Sequence, residues 1–328
     1  MYLQKLTKRI KDNQQHIGTL IKWGIFVLSL LFLYRELFLK RDFVKLINDY
    51  GTRMQSNWEL LLLVFILMPL NWGLEGLKWR SLMKPQVKVP FLRALAGTMA
   101  GVTVSILTPN RVGEFAGRML FIRPDKRDHA VAMSLAGSIS QLMITLIVGV
   151  VFGLLHSHQL DLMLWWYIPL AIVLLAGILW LYFNLGRAER LLKPWEKNDF
   201  LHRAREVIGN LSIRKLSGAL LWSASRYVIF SFQLALLIIA LVELTPDFEP
   251  ILLVIMVPMY FLYQTAVPTI AFSEIGVRGM ILAVMFTEYA QESDLLLAST
   301  MLWIINIVTP ALIGGVLLLL QRIKLFKT

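Results

Sequence analysis

The sequence predicts an all-α membrane protein that crosses the bilayer several times. Of its 328 residues, 57% are hydrophobic and only 16% are charged, whereas a soluble chain of this length carries about 25% charged residues. Runs of mostly apolar residues recur along the chain, and many are long enough to cross a hydrocarbon core about 30 Å thick. We therefore exclude soluble globular folds.

About six of these runs are long enough to form full transmembrane helices. The first follows a basic N-terminal segment and ends without a small-residue cleavage site, so we interpret it as a retained span and not as a signal peptide. The predicted spans are residues 20–39, 57–80, 130–155, 163–185, 216–243 and 295–320.

The distribution of Lys and Arg orients the chain. Residues 78–93 and 111–127 carry five basic residues each and residues 186–215 carry eight, whereas residues 243–250 and 286–294 carry none. Because basic connections stay in the cytoplasm, the chain between the first two of these segments enters the membrane and returns. The same argument applies between the two acidic segments on the other side. We expect an integral protein of a bacterial-type inner (plasma) membrane with cytoplasmic N- and C-termini.

We therefore predict two oppositely oriented re-entrant helical hairpins, at about residues 91–122 and 250–287. The second arm of each would rise only about 17–18 Å at 1.5 Å per residue, which is too short to cross the bilayer. The alternative is eight ordinary spans that violate the charge rule mildly.

The predicted elements divide into two similar halves, about residues 17–155 and 163–320. Each half contains a span, a polar connection, a span, a hairpin and a span, and the halves start on opposite sides of the membrane. This is the plan of an inverted-topology repeat. We expect both halves to form a single membrane domain over residues 1–328.

Both hairpins contain the same kinds of residue at their interruptions. Proline breaks a helix because it lacks an N–H group, and glycine permits a sharp reversal or a close backbone approach. Glu and Arg four residues apart share one helix face and can neutralise each other, although such pairs are also common on ordinary helices. The hairpin-breaking residues are Pro109, Gly113, Pro268 and Gly276, and the paired charges are Glu114 with Arg118 and Glu274 with Arg278.

Three further residues are candidates for substrate binding. Arg226 lies within a predicted span, where an arginine usually faces a cavity or a partner, although it could also snorkel to the interface. Glu75 lies deep at the end of the second span, beside Lys78, for which interfacial anchoring is an equally good interpretation. Arg111 either neutralises a ligand phosphate or ends the turn.

Several chemistries find no support in the sequence. The chain has no cysteine and only five scattered histidines, and it lacks the common nucleotide-binding, zinc-protease and hydrolase motifs. We therefore expect no cofactor, no metal site, no catalytic residue and no enzymatic activity. We attribute the net charge of +12 to cytoplasmic loops that face anionic lipid, and not to nucleic acid.

Three segments resemble the lysylphosphatidylglycerol synthase transmembrane family, also called flippase-like domain proteins. The first is the segment that begins Thr108-Pro109-Asn110-Arg111 and continues through Gly113-Glu114 to Arg118. The other two are the segment from Pro268 to Arg278, which has Phe272-Ser273 where the family usually has two glycines, and the end of the second span, NWGLEGLKWR. The resemblance covers essentially the whole chain and implies the membrane part without the soluble synthase domain.

The resemblance implies a lipid flippase that moves an anionic or modified phospholipid between leaflets. Its central cavity would be lined by the Glu and Arg residues of the hairpins. Alternatives are an accessory protein that scaffolds a lipid-modifying or glycosyl-transferring enzyme and an enzyme that acts on a lipid phosphate. The expected partners are membrane lipids, above all anionic phospholipid headgroups. A lipid-modifying enzyme and a second copy of the chain are further possible partners.

Overall fold

All regular secondary structure in the described residues is helical. The structure, a computed structural model, describes residues 43–108, 111–156, 167–184, 211–267 and 274–321, together with scattered positions between 20 and 34. A π-helical segment, Ile304–Val308, joins the last two helices. The helices are α1 (Phe43–Ser56), α2 (Trp58–Met83), α3 (Phe91–Ser105), α4 (Gly113–Met119), α5 (Arg127–His156), α6 (Tyr167–Phe183), α7 (Ile213–Leu241), α8 (Ile251–Ala266), α9 (Glu274–Met285), α10 (Glu292–Trp303) and α11 (Thr309–Leu320).

Among the described residues, four helical stretches are long and apolar enough to cross a membrane. They are Trp58–Met83, Pro124–Leu154, Ile213–Leu241 and Glu292–Leu320. The prediction of an all-helical membrane protein is therefore confirmed, and these stretches correspond to four of the six predicted spans. The predicted span at 163–185 is described only as the 17 residues of α6, and the one at 20–39 lies mostly outside the described residues. The number of full spans stays a prediction.

Helices α3 and α4 form a tightly packed hairpin. A Cβ atom added to Gly117 would lie 2.5 Å from the carbonyl oxygen of Ala100, and one added to Gly113 would lie 2.5 Å from that of Val104. The α4 residues therefore advance as the contacted α3 residues recede, so the two helices are antiparallel. Only glycine permits this separation of the backbones. The Thr108 hydroxyl accepts a hydrogen bond of 2.8 Å from the Gly113 N–H, the first N–H group of α4, which has no partner within the helix.

Helices α8 and α9 form the second hairpin, and its two ends also meet. The Thr245 N–H, before α8, donates to the carbonyl oxygen of Tyr289, after α9, across 2.9 Å. Phe248 packs edge-on against the Tyr289 ring with a centroid distance of 5.2 Å. Both hairpins therefore return to where they begin. Their re-entry into a membrane from opposite sides stays a prediction.

Contacts between the two halves occur in matching pairs. The long helices α2 and α7 pack against each other, α3 packs on α11, and α8 packs on α5. Glycines permit the two outer contacts, since a Cβ on Gly314 of α11 would overlap the Met99 carbonyl of α3, and one on Gly149 of α5 would crowd Leu262 of α8. Each hairpin thus packs on the final long helix of the other half. Repeats related by a two-fold axis make reciprocal contacts of this kind; the inverted orientation stays a prediction.

Helix α1 is bound to the second half through Asp294 at the start of α10. Arg53 donates to the Asp294 carboxylate at 2.6 Å and to that of Glu243 at 2.6 Å, and the Tyr50 hydroxyl donates to Asp294 at 2.9 Å. The hydrogen bond to Asp294 raises the pKa of Arg53 above its ordinary value. These bonds involve Glu243 and Asp294, which lie close in sequence to the start of α8 and the end of α9, where the two ends of the second hairpin meet.

Candidate functional site

A polar stripe runs along the apolar helix α2. Asn71, Glu75 and Lys78 are spaced four and three residues apart, so they lie on one helix face, and all three are buried, with exposures of 0%, 3% and 1%. Buried charges of this kind are costly unless they are paired and hydrogen-bonded. Glu75 and Lys78 therefore need partners within the protein, and they pair with each other at 2.7 Å.

Glu75 binds three cations from three helices. Its Oε1 atom accepts from Arg118 of α4 at 2.9 Å, and its Oε2 atom accepts from Arg226 of α7 at 2.9 Å and lies 2.7 Å from the Lys78 ammonium. Lys78 also donates to the Ser223 hydroxyl at 3.2 Å. A single carboxylate thus joins the first hairpin to the central helices of both halves.

Packing of α4 against α3 places Arg118 in this cluster. Arg118 is only 2% exposed, binds Glu114 one helical turn earlier, and lies over the Trp79 ring at 5.8 Å from its centroid. The close approach at Gly101, where an added Cβ would lie 2.9 Å from the Glu114 carbonyl oxygen, permits this position. Arg118 therefore forms two ion pairs, one with Glu114 within α4, as the Glu-x-x-x-Arg spacing predicts, and one with Glu75 of α2.

The π-helical segment connects to the same cluster through Asn306. The Asn71 amide donates to the Asn306 side-chain oxygen at 2.9 Å and accepts from Arg226 Nε at 3.0 Å. The Trp72 indole N–H donates to the Asn306 carbonyl at 3.1 Å. A π-bulge changes the direction of side chains and backbone carbonyls, and such bulges are frequent at functional sites.

A cavity of about 510 Å³ opens beside this cluster, between the two hairpins. Its wall contains charged residues from both halves together with hydroxyl, amide, aromatic and a few aliphatic side chains. Its charged residues are Glu75, Lys78, Arg111, Glu114, Arg226 and Arg278, and its other lining residues include Ser138, Gln141, Thr145, Phe230, Phe261 and Gln264.

The charges of the described cluster around Glu75 do not balance. Four basic side chains, Lys78, Arg111, Arg226 and Arg118 just behind the wall, surround two carboxylates, Glu75 and Glu114, so this cluster carries a formal excess of two positive charges. Within the described part of the chain, no group of three His, Asp or Glu side chains could hold a metal ion. Because excess charge in a low-dielectric site is costly, this arrangement favours an anionic ligand.

Arg111 is held in an unusual conformation at the tip of the first hairpin. Its φ angle of 58° lies in the left-handed region, which a non-glycine residue adopts at an energetic cost. Its Nη2 atom is buried and has no hydrogen-bond partner among the described residues. Arg111 therefore lines the cavity and holds a buried donor that no described residue uses.

Arg278 of α9 contributes from the second hairpin and is 7% exposed. With the Gln264 amide oriented so that its oxygen faces the guanidinium, that oxygen accepts from Nη2 at 2.9 Å and from Nε at 2.6 Å. This contact joins α9 to α8 across the hairpin.

The comparisons with known proteins place the chain in a family. The family described as the lysylphosphatidylglycerol synthase TM region matches residues 19–315. The chain belongs to this family. The match confirms the resemblance predicted from the motifs and supports a membrane protein related to lipid modification and flippase-type functions. No curated protein matches the chain.

Within this family member, the structure brings together most of the predicted site residues. Glu75, Arg111, Glu114, Arg226 and Arg278 line the cavity, with Arg118 directly behind Glu75. The remaining predicted residues are the four hairpin-breaking residues and Glu274. Pro109, Pro268 and the Glu274 side chain lie outside the described residues. Gly113 closely approaches the α3 backbone, whereas Gly276 lies in the first turn of α9, where no described residue lies within 4 Å of an added Cβ.

Asn71 was missed by the reasoning from sequence, and Lys78 was left open between this site and an interfacial anchor. Asn306 and Gln264 were expected to form hydrogen bonds between helices, and both do, but their place at this site was not predicted. One signal was available, since Asn71, Glu75 and Lys78 form a polar stripe on an otherwise apolar helix. The roles of Asn306 and Gln264 depend on contacts with distant helices and left no such pattern.

Proposed function

We propose that this protein moves lipids with anionic or modified phosphate headgroups between the leaflets of the membrane. The observation that carries the proposal is the excess of positive charge around a cavity between two hairpins. The volume of about 510 Å³ lies within the usual range for small-molecule sites and suits a headgroup. The acyl chains would stay in the surrounding lipid.

In this mechanism, the headgroup phosphate binds the cations that face the open cavity. Arg111 lines the cavity and the Arg226 side chain is 21% exposed, whereas the Arg118 and Lys78 side chains are 2% exposed. Phosphate and guanidinium form strong, charge-assisted hydrogen bonds. Arg111 and Arg226 are therefore the residues that exchange protein contacts for the ligand, and Arg118 and Lys78 keep Glu75 paired.

Transport would involve relative movement of the two halves. The bond from Arg226 to Glu75 joins α7 of the second half to α2 of the first. A phosphate that competes for Arg226 weakens this connection, because a ligand shifts a conformational equilibrium through the contacts that it makes in one state only. The site between the halves is where inverted-repeat transporters bind their substrates.

The remaining parts of the proposal concern location and energy. We place the protein in a bacterial-type inner membrane with both termini in the cytoplasm, as the basic connections require. We also propose that it catalyses no covalent step. Because the sequence contains no nucleotide-binding motif, transport would be driven by an ion gradient or would run downhill.

Leaflet-resolved lipid transfer in proteoliposomes tests this function. A fluorescent short-chain phosphatidylglycerol is placed in the inner leaflet, and a membrane-impermeant quencher reports its arrival in the outer leaflet. We expect wild-type protein to accelerate transfer over protein-free vesicles, and Arg226→Gln, Arg118→Ala and Glu274→Ala to abolish most of the acceleration. Arg214→Ala is the matched control, since Arg214 is an exposed arginine at the start of α7 that does not line the cavity.

Two results would contradict the proposal. One is transfer by the wild-type protein no faster than in protein-free vesicles, for every anionic headgroup tested. The other is unchanged transfer by cavity variants that are folded according to their thermal unfolding, which would favour the accessory role instead.

A further inference from the structure

A second concentration of positive charge lies at the ends of the first hairpin, on the surface. It consists of two adjoining concavities, of about 470 Å³ and about 290 Å³, that share Lys88 and Val89. We call it the basic groove and define it by its six cationic side chains, Arg80, Lys84, Lys88, Arg93, Arg123 and Lys126. As described, the groove shares no lining residue with the central cavity.

The backbone that forms the groove is held in place by packing. Arg80 Nε donates to the Val89 carbonyl at 3.1 Å, and the Val87 N–H donates to the Met83 carbonyl at 3.0 Å. Val89 itself is 4% exposed and packs with Trp79 in a buried cluster. The concave shape therefore exists before any ligand arrives, which lowers the entropy cost of binding.

The cations in the groove are poorly compensated. Arg123 pairs with Asp125 at 3.1 Å across an exposed surface. Among the described residues, Lys88, Arg93 and Lys126 form no ion pair with a carboxylate. Like charges in one concavity repel each other and concentrate anions from solution. This arrangement differs from an ordinary basic loop, in which cations are dispersed over a convex surface.

The floor of the groove is apolar. Phe121 and Ile122 line it and are each 6% exposed. A basic rim above an apolar floor matches a phosphate attached to a glycerol backbone at the membrane interface, where cytoplasmic leaflets are anionic.

We propose that the basic groove is a second binding site, specific for phosphate compounds with a net negative charge. The phosphate belongs either to an anionic lipid of the leaflet on that side or to a soluble phosphate compound. Because residues 86–89 precede α3 and residues 121–126 follow α4, a phosphate bound here contacts both ends of the first hairpin. It would hold these two ends together whether or not a ligand occupies the central cavity.

Binding measured on the purified full chain in detergent tests this site. The probes are dihexanoyl phosphatidic acid, dihexanoyl phosphatidylcholine and inorganic phosphate, with titration calorimetry as the readout. All proteins carry Arg111→Gln and Arg226→Gln, so that the central cavity does not contribute. We expect saturable binding of the phosphatidic acid and binding at least roughly tenfold weaker after Lys88→Gln with Arg93→Gln, since two charge-assisted hydrogen bonds are lost.

The matched control is Arg214→Gln with Lys215→Gln, which removes two adjacent basic residues at the start of α7 outside the groove. It should change the affinity less than about twofold, because neither residue lines the groove and solvent screens the charge that is removed. Stronger binding of phosphatidic acid than of inorganic phosphate assigns the site to lipid, and equal binding assigns it to a soluble phosphate compound.

Three results would overturn the proposal. They are equal losses in the groove and control variants, unchanged binding in a folded groove variant, and equal affinity for the zwitterionic phosphatidylcholine. Each of these results concerns binding alone. The groove proposal can therefore be wrong while the proposed lipid transfer is correct, and lipid transfer can be absent while the groove still binds phosphate compounds.

Discussion

Arg226 of α7 and Glu75 of α2 form a hydrogen bond of 2.9 Å, although 151 residues separate them in the sequence. The bond joins the two halves at the wall of the central cavity. It is one of three that Glu75 accepts from cations, so the carboxylate stays paired when Arg226 leaves. Loss of Glu75 should therefore reduce the stability of the protein, whereas loss of Arg226 should mainly reduce ligand binding.

Replacement of Glu75 should destabilise the protein strongly. Glu75→Gln leaves Lys78 and Arg118 buried without their shared anion, and loss of one partner of a buried ion pair costs about 3–5 kcal/mol. Thermal unfolding in detergent measures the loss. Glu59→Gln on the same helix is the control, since Glu59 is exposed. Addition of Lys78→Met to Glu75→Gln should recover part of the stability, and the absence of any recovery would contradict the charge explanation.

Replacement of Arg226 should reduce ligand binding more than stability. Its side chain is 21% exposed and Glu75 keeps two other cations, so Arg226→Gln should lower the unfolding temperature much less than Arg118→Gln does. Arg226→Lys retains the charge but cannot donate to Asn71 and Glu75 from two nitrogens at once. We therefore expect an intermediate affinity for dihexanoyl phosphatidylglycerol. Equal affinities for wild type and Arg226→Gln would exclude contact of this arginine with the headgroup.

The first hairpin should tolerate no side chain at Gly117. Gly117→Ala places a Cβ about 2.5 Å from the backbone of α3, and overpacking of this kind costs about 1–3 kcal/mol or more. The matched control is Gly276→Ala in α9, where the added methyl meets no atom of the described residues within 4 Å and alanine is the better helix former. Thermal unfolding should show a clear loss for the first variant and none for the second.

The re-entrant topology predicts the labelling of single cysteines. The chain has no native cysteine, so Lys88→Cys, Lys126→Cys and Thr245→Cys each introduce one site for a membrane-impermeant maleimide. Positions 88 and 126 line one groove at the two ends of the first hairpin, and position 245 lies at the ends of the second. We expect 88 and 126 to react from the same face and 245 from the opposite face. Reaction of 88 and 126 from opposite faces would mean that this hairpin crosses the membrane.

The sequence by itself determined the class of the protein and the local order of its elements. Long apolar runs require a membrane, because they have no stable place in water. The uneven distribution of Lys and Arg predicted two chain reversals, and in the structure both pairs of short helices return to where they begin. Local patterns of this kind survive in the sequence because neighbours along one helix face interact over three or four residues.

Only the tertiary structure decided which charges meet. Arg118 binds Glu114 within its own helix, as its spacing allows, but its bond to Glu75 depends on the packing of α4 against α3 and of α3 against α2. Asn306 and Gln264 likewise acquire their partners from other helices or from across a hairpin. Such contacts have no period along the chain, because they are set by the distances between packed helices. The composition of the site, Glu75 included, was therefore partly predictable, whereas the central position of Glu75 and the way it joins the two halves were not.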